Sequence, residues 1–234
     1  EKLKTAIFAL QNAYYDLIKG TADANSNSIT QRLKGKQGRF RRNQLGKRVR
    51  NMCRSTIVGD VTLRPDQVGI PLVFARTVQR EETVQKFNIA RLQQRVNNGL
   101  KIYPGATKIK RGGIEYGIES MQDLRLQPGD VVHRDYVDGD VCDYNRQPSL
   151  TISNISGMRA RVYRDPRVRV EGINVLICPL FNADFDGDQM NIAAVSKTPA
   201  VVEVQELSAI QNWTVSHATG APALGQCDDS VIGC

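Results

Sequence analysis

Three aspartates at alternating positions are the residues of this sequence whose types and spacing most clearly suggest chemistry. Asp184, Asp186 and Asp188 lie in residues 182–191, and in an extended or tightly curved segment their carboxylates can all point the same way. Converging carboxylates repel each other and raise their own pKa values unless a cation lies between them. Oxygen ligands of this kind suit Mg²⁺, Mn²⁺ or Ca²⁺ better than Zn²⁺. The spacing therefore predicts a site for a hard divalent cation.

Two plainer explanations compete with a metal site. Solvated acidic turns are common, but they rarely include apolar side chains such as Phe185 and Met190 beside an apolar run. A calcium loop of the helix–loop–helix type needs Gly at its sixth position and Glu at its twelfth. Counted from Asp184, those positions hold Gln189 and Val195, so the sequence excludes that loop. A metal site remains the favoured interpretation.

The segment before the aspartates has to position them. Residues 175–181 form a continuous apolar run, which we interpret as a buried strand. Gly187 lies between the last two aspartates and gives the backbone the freedom to wrap closely around an ion. The acidic loop is therefore expected to project from a rigid, packed scaffold.

A basic segment carries all of the positive excess of the chain. Residues 24–59 contain ten Lys and Arg and no acidic residue, whereas the whole chain has 32 basic and 24 acidic residues. The remainder therefore has 22 basic against 24 acidic residues, so the net charge of +8 comes from this segment. Its interleaved glycines and its single Phe40 favour contact with nucleic acid over a merely solvated loop. The predicted DNA-binding residues are Lys34, Lys36, Arg39, Arg41, Lys47 and Arg48.

A third motif is the polar loop at residues 145–150, which alone would be read as structural. Together with the other two motifs it indicates a function, because all three resemble segments of the largest subunit of multisubunit DNA-directed RNA polymerases. The three segments also occur in the same order as in that family. Residues 182–191 resemble that family's characteristic acidic motif. Residues 34–50 resemble its switch 2 segment, which contacts template DNA, and residues 145–150 resemble its ribose-contacting loop. The resemblance runs from about residue 31 to the end of the chain.

Four positions depart from the residues that are usual in this family. Gln37 stands where the family often has Glu, and Arg42 where it often has Gly, and both changes make the basic segment more basic. Thr151 and Ala193 each replace a usual His. We therefore expect different polar contacts around the site.

The resemblance implies a fold and a set of site residues. The fold is mixed α+β, a double-psi β-barrel active-site domain with short helices and loop insertions. The three aspartates would be the catalytic metal ligands, holding one Mg²⁺ tightly while a second ion arrives with the triphosphate. The implied nucleotide-binding residues are Arg146, Gln147, Pro148 and Asn182.

The implied function is template-directed ribonucleotidyl transfer by a two-metal mechanism within a multisubunit assembly. The implied partners are a DNA template and RNA product, ribonucleoside triphosphates, the second-largest subunit and other polymerase subunits. The residues themselves leave a second hypothesis open. It is a non-catalytic nucleic-acid-binding module in which the acidic loop holds one structural divalent ion.

The chain divides into four predicted segments. Residues 1–30 are an N-terminal helix and a polar loop, and residues 31–54 are the switch-like, DNA-binding part of the basic segment. Residues 55–195 are the barrel region, and residues 196–234 begin a helical pore region. Apolar spacing predicts helices over residues 1–19 and 88–99, and the turn at Asp138 and Gly139 predicts a hairpin between residues 131 and 141.

Composition excludes several other classes of protein. Apolar residues make up 41% and charged residues 24%, as in ordinary globular proteins, and no apolar run approaches the ~20 residues of a membrane helix. The five cysteines are scattered, which argues against a disulfide framework and favours a reducing, intracellular location. Nucleus or cytoplasm stays open, with cytoplasm or virion expected for a viral protein. The first residue is Glu1 and the last is Cys234, and we expect a fragment of a longer protein.

Overall fold

The computed structural model describes residues 1–20, 28–46, 48–49, 51–120, 124–216 and 219–225. The chain forms two compact units, Glu1–Arg50 and Asn51–Cys234. The first unit contains the predicted N-terminal helix and most of the basic segment. The second contains the acidic loop and the loop at residues 145–150.

The first unit begins with the predicted helix, α1, which spans Lys2–Lys19. It ends at Gly20, whose φ is 87° and whose N–H donates to the Asp16 carbonyl at 2.8 Å. No residue of α1 is buried, so its apolar stripe is exposed. A second helix, α2, spans Ile29–Leu33, and the predicted loop therefore does not extend to residue 30. Residues 21–27 of that loop lie outside the described residues.

The second unit is built from strands and short helices. In its described part the helices are α3 (Leu72–Thr77), α4 (Ile89–Asn98), α5 (Cys178–Phe181) and α6 (Thr198–Glu206). The strands are β1 (Met52–Gly59), β2 (Gln67–Pro71), β3 (Gln79–Thr83), β4 (Ala106–Arg111), β5 (Ile114–Gly117), β6 (Val131–Asp135), β7 (Val141–Asn145), β8 (Ile155–Tyr163), β9 (Glu171–Ile173) and β10 (Gln189–Ala194).

Six strands close into a barrel in the order β1-β10-β7-β8-β2-β9, within the described residues. Closure follows because β9 pairs with β2 on one side and, in parallel, with β1 on the other. The interior is filled by side chains such as Ile57, Tyr144, Met158, Phe181 and Met190. This architecture confirms the predicted mixed α+β fold and is consistent with a double-psi barrel.

Close packing against the barrel requires glycine at two places. Gly172 lies under the ring of Tyr163, where a Cβ would come within 1.9 Å of the tyrosine hydroxyl. Gly157 lies under α6, where a Cβ would come within 2.3 Å of the Val204 carbonyl oxygen. Neither residue needs a positive φ, so lack of space rather than backbone conformation excludes a side chain.

A second sheet has the strand order β3-β6-β4-β5 and packs against α4. Leu92 and Val96 of α4 join Ile109 and Val132 in a separate core. The helix confirms the pattern predicted over residues 88–99. The turn between β4 and β5 lies at Gly112 and Gly113, both of which have positive φ.

The predicted hairpin between residues 131 and 141 is wrong. Strand β6 pairs with β3 and β4, whereas β7 pairs with β10 and β8 in the barrel. The apolar residues of the two strands are buried in different cores, as Val132 and Val141 show. The turn between them instead binds other elements, because the Asp138 carboxylate accepts the Val162 N–H at 2.6 Å.

The predicted buried strand over residues 175–181 is also wrong, although the segment is buried. Residues Val175–Ile177 form a 3₁₀ turn that continues into α5. The Asn174 side chain caps the turn by accepting the Leu176 N–H at 2.9 Å, and Pro179 lies in the first turn of α5. A short apolar run does not distinguish a buried strand from a buried helix.

None of the described helices is both long and apolar enough to cross a membrane. Cys53 and Cys142 are buried free thiols, and Cys178 is buried as well. Cys227 and Cys234 lie outside the described residues.

Candidate metal centre and adjoining loop

The acidic loop begins where α5 ends. Asn182 adopts a left-handed conformation, with φ 51° and ψ 44°, which turns the chain out of the helix. Its N–H donates to the Pro179 carbonyl at 3.3 Å, and the Ala183 N–H donates to the Cys178 carbonyl at 3.0 Å. Asn tolerates this conformation better than most residues do. The helix end therefore fixes the direction in which the loop leaves the core.

The loop ends by joining the barrel. The Ile57 N–H on β1 donates to the Asp188 carbonyl at 3.0 Å, and Thr56 pairs with Gln189 at the start of β10. Gly187 has φ 116° and no atom within 4 Å of the position a Cβ would take. Its positive φ, rather than lack of space, is what favours glycine there. Both ends of the loop are thus held by regular structure.

The three predicted carboxylates converge in this loop. Ligand oxygens of Asp184, Asp186 and Asp188 all lie within 4.8 Å of one another, with the first two side chains exposed and the third partly buried. The pKa of Asp184 is raised by its contact with the Asp186 carboxyl, by desolvation and by the charges of both other aspartates. No other group of three or more potential metal ligands occurs among the described residues. This all-oxygen donor set fits Mg²⁺, Mn²⁺ or Ca²⁺.

Arg146 forms a salt bridge to this cluster that the sequence did not reveal. Its Nε and Nη2 both lie 2.8 Å from Oδ2 of Asp188, and both side chains are about one-fifth exposed. The Asp184 N–H also donates to that oxygen, at 3.3 Å. The pairing of Asn145 with Asn191 between β7 and β10 brings the two segments together. One oxygen of Asp188 is therefore oriented by the protein itself.

The loop at residues 145–150 is held by a buried asparagine that sequence reasoning missed. The Arg146 N–H donates to the Asn154 carbonyl at 3.3 Å. The Asn154 side chain accepts the Thr151 N–H at 2.9 Å and donates to the Phe181 carbonyl at 3.3 Å. Asn154 therefore ties the Arg146 loop to the helix that precedes the acidic loop. Its position four residues beyond the motif provided no signal by itself.

A cleft of about 510 Å³ lies between the loop that contains Arg146 and the end of α5 at Asn182. Arg146, Pro148 and Asn182 line it, whereas Gln147 is exposed and is not among the lining residues. Sequence reasoning did not identify the remaining wall, which comprises Leu150, Thr151, Ile152, Leu180, Trp213 and Val215, among others. Three of the four predicted nucleotide-binding residues thus share one cleft.

The basic segment, in the first unit, presents its cations to solvent. Lys34, Lys36, Arg39, Arg41 and Arg48 are exposed, and none of them forms a salt bridge with a described residue. Lys47 lies outside the described residues. The glycine turn is tight, because Gly35 has φ 81° and a Cβ on Gly38 would lie 2.2 Å from the Leu33 carbonyl oxygen. Beyond it, Phe40–Gln44 form a single π-helical turn, closed by the Leu45 N–H donating to the Phe40 carbonyl at 2.9 Å.

Comparison with known families shows the family to which this chain belongs. Residues 46–210 match the family described as RNA polymerase Rpb1, domain 2. The chain belongs to the Rpb1 domain 2 family. The matched residues include the whole barrel, the acidic loop and the loop that contains Arg146.

Relatives of this Rpb1 domain 2 chain occur in viruses and archaea. The DNA-directed RNA polymerase RPB1 homolog of African swine fever virus is 43% identical over 209 residues, covering 88% of this chain and 14% of that protein. DNA-directed RNA polymerase subunit 1 of Acanthamoeba polyphaga mimivirus is 34% identical over 218 residues, covering 89% and 15%. DNA-directed RNA polymerase subunit Rpo1N of Sulfolobus acidocaldarius is 38% identical over 212 residues, covering 88% and 24%. The chain therefore spans less than a quarter of each relative. It corresponds to part of a polymerase largest subunit, which confirms the resemblance identified from sequence.

Two departures noted in the sequence have clear positions in this Rpb1 domain 2 structure. The Thr151 hydroxyl donates to Oδ1 of Asn154 at 2.6 Å, so it supports the asparagine that holds the Arg146 loop. Ala193 lies in β10 between Met52 and Asp143 and presents no polar group. The Thr151 side chain thus makes a polar contact within this loop, and the Ala193 side chain offers none.

Proposed function

We propose that this chain supplies the catalytic centre for template-directed ribonucleotidyl transfer in a DNA-directed RNA polymerase. The observation that carries the proposal is the convergence of three aspartates, one of them oriented by Arg146, in a member of the Rpb1 domain 2 family. Two of the relatives are named as polymerase subunits, which supports activity only within an assembly.

Asp184, Asp186 and Asp188 would hold Mg²⁺, one ion tightly and a second together with the triphosphate. Bound there, Mg²⁺ supplies the positive charge that favours ionisation of the attacking 3′-hydroxyl and neutralises the leaving pyrophosphate. The protein contributes orientation. Arg146 and the Asp184 N–H both bind one oxygen of Asp188, which leaves its other oxygen and the two exposed carboxylates available to a cation.

Arg146, Gln147, Pro148 and Asn182 are the proposed nucleotide-binding residues. The cleft beside the aspartates supports this assignment for Arg146, Pro148 and Asn182. A guanidinium donates hydrogen bonds to ribose hydroxyls, and an amide both donates and accepts them. Because Arg146 also binds Asp188, it would couple sugar recognition to the metal ligands.

The basic segment is the proposed contact with the DNA template. Exposed cations that form no salt bridge with a described residue are free to neutralise phosphates, which favours binding without base specificity. The proposed residues are Lys34, Lys36, Arg39, Arg41, Lys47 and Arg48. Positive φ at Gly35 and lack of space at Gly38 shape the turn from which the first of them project.

The wider assembly follows from the same proposal. The partners are ribonucleoside triphosphates, the second-largest polymerase subunit and the other subunits. Residues 55–195 would form the active-site barrel, and residues 196–234 would begin the helical pore region. The location is intracellular and reducing, in the cytoplasm or the virion if the protein is viral.

The test is Asp186→Asn in the complete subunit, assembled with its partners. The change removes one charge from the site while keeping side-chain size, so RNA extension in Mg²⁺ should fall by more than about 100-fold. Asp165→Asn is the matched control, since Asp165 is a surface aspartate paired with Arg167. Extension at the wild-type rate by Asp186→Asn would contradict the proposal. If Mg²⁺ raises the Tm of an inactive wild-type assembly, the ion is structural and the non-catalytic module is correct.

A further inference from the structure

One acidic side chain lies inside the barrel, away from the metal-site aspartates. Glu171 begins β9 and is fully buried, and neither of its carboxylate oxygens has a hydrogen bond of ordinary geometry. The Tyr144 hydroxyl on β7 is buried too and also lacks one. The two groups are close enough for each to shift the pKa of the other. The apolar core therefore encloses this polar pair.

The Glu171 carboxyl is neutral at pH 7 because little around it stabilises negative charge. Burial raises the pKa of Glu171 to about 9, and the nearby Tyr144 hydroxyl and Ser55 N–H offset only part of that effect. The other titratable groups that face it are the thiols of Cys53 and Cys142, whose pKa values burial also raises. No salt bridge from a described residue reaches Glu171. Loss of its proton would leave an uncompensated anion in the core.

Tyr144 connects this pair to both sides of the candidate metal centre. Its ring packs edge-on against Phe181, with centroids 5.5 Å apart and planes at 82°. Phe181 is the last residue of α5, directly before the acidic loop, and Arg146 follows Tyr144 by two residues. Strand β9 itself leads through Asn174 into the helical segment that ends at Phe181. A movement of Glu171 and Tyr144 would therefore displace both the acidic loop and the loop that contains Arg146.

We propose that Glu171 and Tyr144 are positioning residues for the acidic loop, with the protonated carboxyl keeping β9 and β7 packed so that Arg146 and Asp188 stay paired. The inference rests on the proposed function, because it takes the acidic loop to be the catalytic cation site. An ionised Glu171 gains free energy by moving toward water, which disturbs the packing around Phe181. Cation affinity and nucleotide addition then decline together at alkaline pH, because Glu171 ionises and not because a residue of the acidic loop does.

The test compares wild type with E171Q in the complete subunit, assembled in its polymerase, from about pH 7.5 to about pH 10. Mn²⁺ affinity is measured by electron paramagnetic resonance, and nucleotide addition is measured separately in Mg²⁺. Glutamine keeps the size and neutrality of the protonated acid, so the two proteins should agree at the lower pH. One unit above the pKa, about nine-tenths of Glu171 is ionised, and both quantities should be about tenfold lower in wild type than in E171Q.

Y144F provides a second test that does not depend on the folding of E171Q. The hydroxyl favours the ionised carboxyl, so its removal should move the alkaline loss to higher pH. V132A is the control for a general loss of stability, since Val132 lies in the separate core of the second sheet. It should lower the Tm and leave the pH dependence of Mn²⁺ affinity unchanged.

Two results would overturn the positioning role. One is a ratio of E171Q to wild type that stays constant across the pH range. The other is an alkaline midpoint that Y144F does not move. If the wild-type assembly binds Mn²⁺ but adds no nucleotide, the proposed function fails, and the Mn²⁺ titrations still decide the role of Glu171.

Discussion

Arg146 and Asp188 are 42 residues apart in the chain, yet Nε of the arginine donates a hydrogen bond to Oδ2 of the aspartate at 2.8 Å, and Nη2 lies at the same distance from that oxygen. A charge-assisted pair of this kind fixes the direction of both side chains. The pair joins Arg146, a proposed sugar-binding residue, directly to Asp188, a proposed metal ligand. Substitution of Arg146 should therefore affect the metal as well as the nucleotide.

The first prediction separates these two effects. Asn182→Gly keeps the left-handed backbone and removes only the amide, so the preference for ribonucleotides should fall without a change in Mg²⁺ dependence. Arg146→Ala should lower the same preference and also raise the Mg²⁺ concentration required for half-maximal activity. The measurement is kcat/KM for a ribonucleotide and its 2′-deoxy analogue at several Mg²⁺ concentrations. Equal ratios in all three enzymes would leave both residues with a structural role.

The second prediction concerns the basic segment. Replacing Lys34, Lys36 and Arg39 together with Gln should weaken template binding and reduce its salt dependence. Each lost phosphate contact removes about 0.7–0.9 from the slope of log affinity against log salt. Arg167→Gln is the control, because Arg167 is an exposed arginine already paired with Asp165. An unchanged slope in the triple variant would show that these side chains face solvent.

The third prediction tests the packing of Tyr163 over the barrel. Gly172→Ala should lower the free energy of unfolding by about 1–3 kcal/mol, because the added Cβ would overlap the tyrosine hydroxyl. Gly225→Ala is the control, since no atom lies within 4 Å of its Cβ position and its φ is not positive. Denaturant unfolding of the purified subunit measures both. A Gly172→Ala variant as stable as the control would mean that the ring moves aside without cost.

The fourth prediction concerns a buried ion pair and acid stability. Burial alone would raise the pKa of Asp140, but hydrogen bonds and charge from Arg134 lower it overall. The folded state therefore binds fewer protons than the unfolded state, so this pair contributes its full stability above the ordinary aspartate pKa of about 4. That contribution declines as pH falls through the lower, folded-state value.

Asp140→Asn should remove this contribution at neutral pH and cost about 3 kcal/mol, because the buried Arg134 would lose one of its two acidic partners. The variant should also lose less stability than wild type on acidification from about pH 5 to about pH 2. Tm measured across that range provides the comparison, with Asp165→Asn as an exposed control. Parallel Tm curves for Asp140→Asn and wild type would contradict the assignment.

The sequence by itself determined the features that depend on neighbouring residues. Apolar spacing and a following glycine were sufficient to predict α1 and α4, because a helix forms its hydrogen bonds within a few residues. The alternation of Asp184, Asp186 and Asp188 was likewise sufficient to predict that their carboxylates converge. Three separate motifs in one order were enough to indicate the family, which the comparison then confirmed.

Only the tertiary structure decided which distant segments meet. The apolar run before the acidic loop is helical rather than extended, since burial suits either conformation and the Asn174 cap favours the helix. Val132 and Val141 look like one hairpin in sequence but pack in two cores. The Arg146–Asp188 pair and the enclosed Glu171 depend on the order in which strands close the barrel. Strand partners are chosen by packing over the whole domain, and that information is not present in any local stretch of residues.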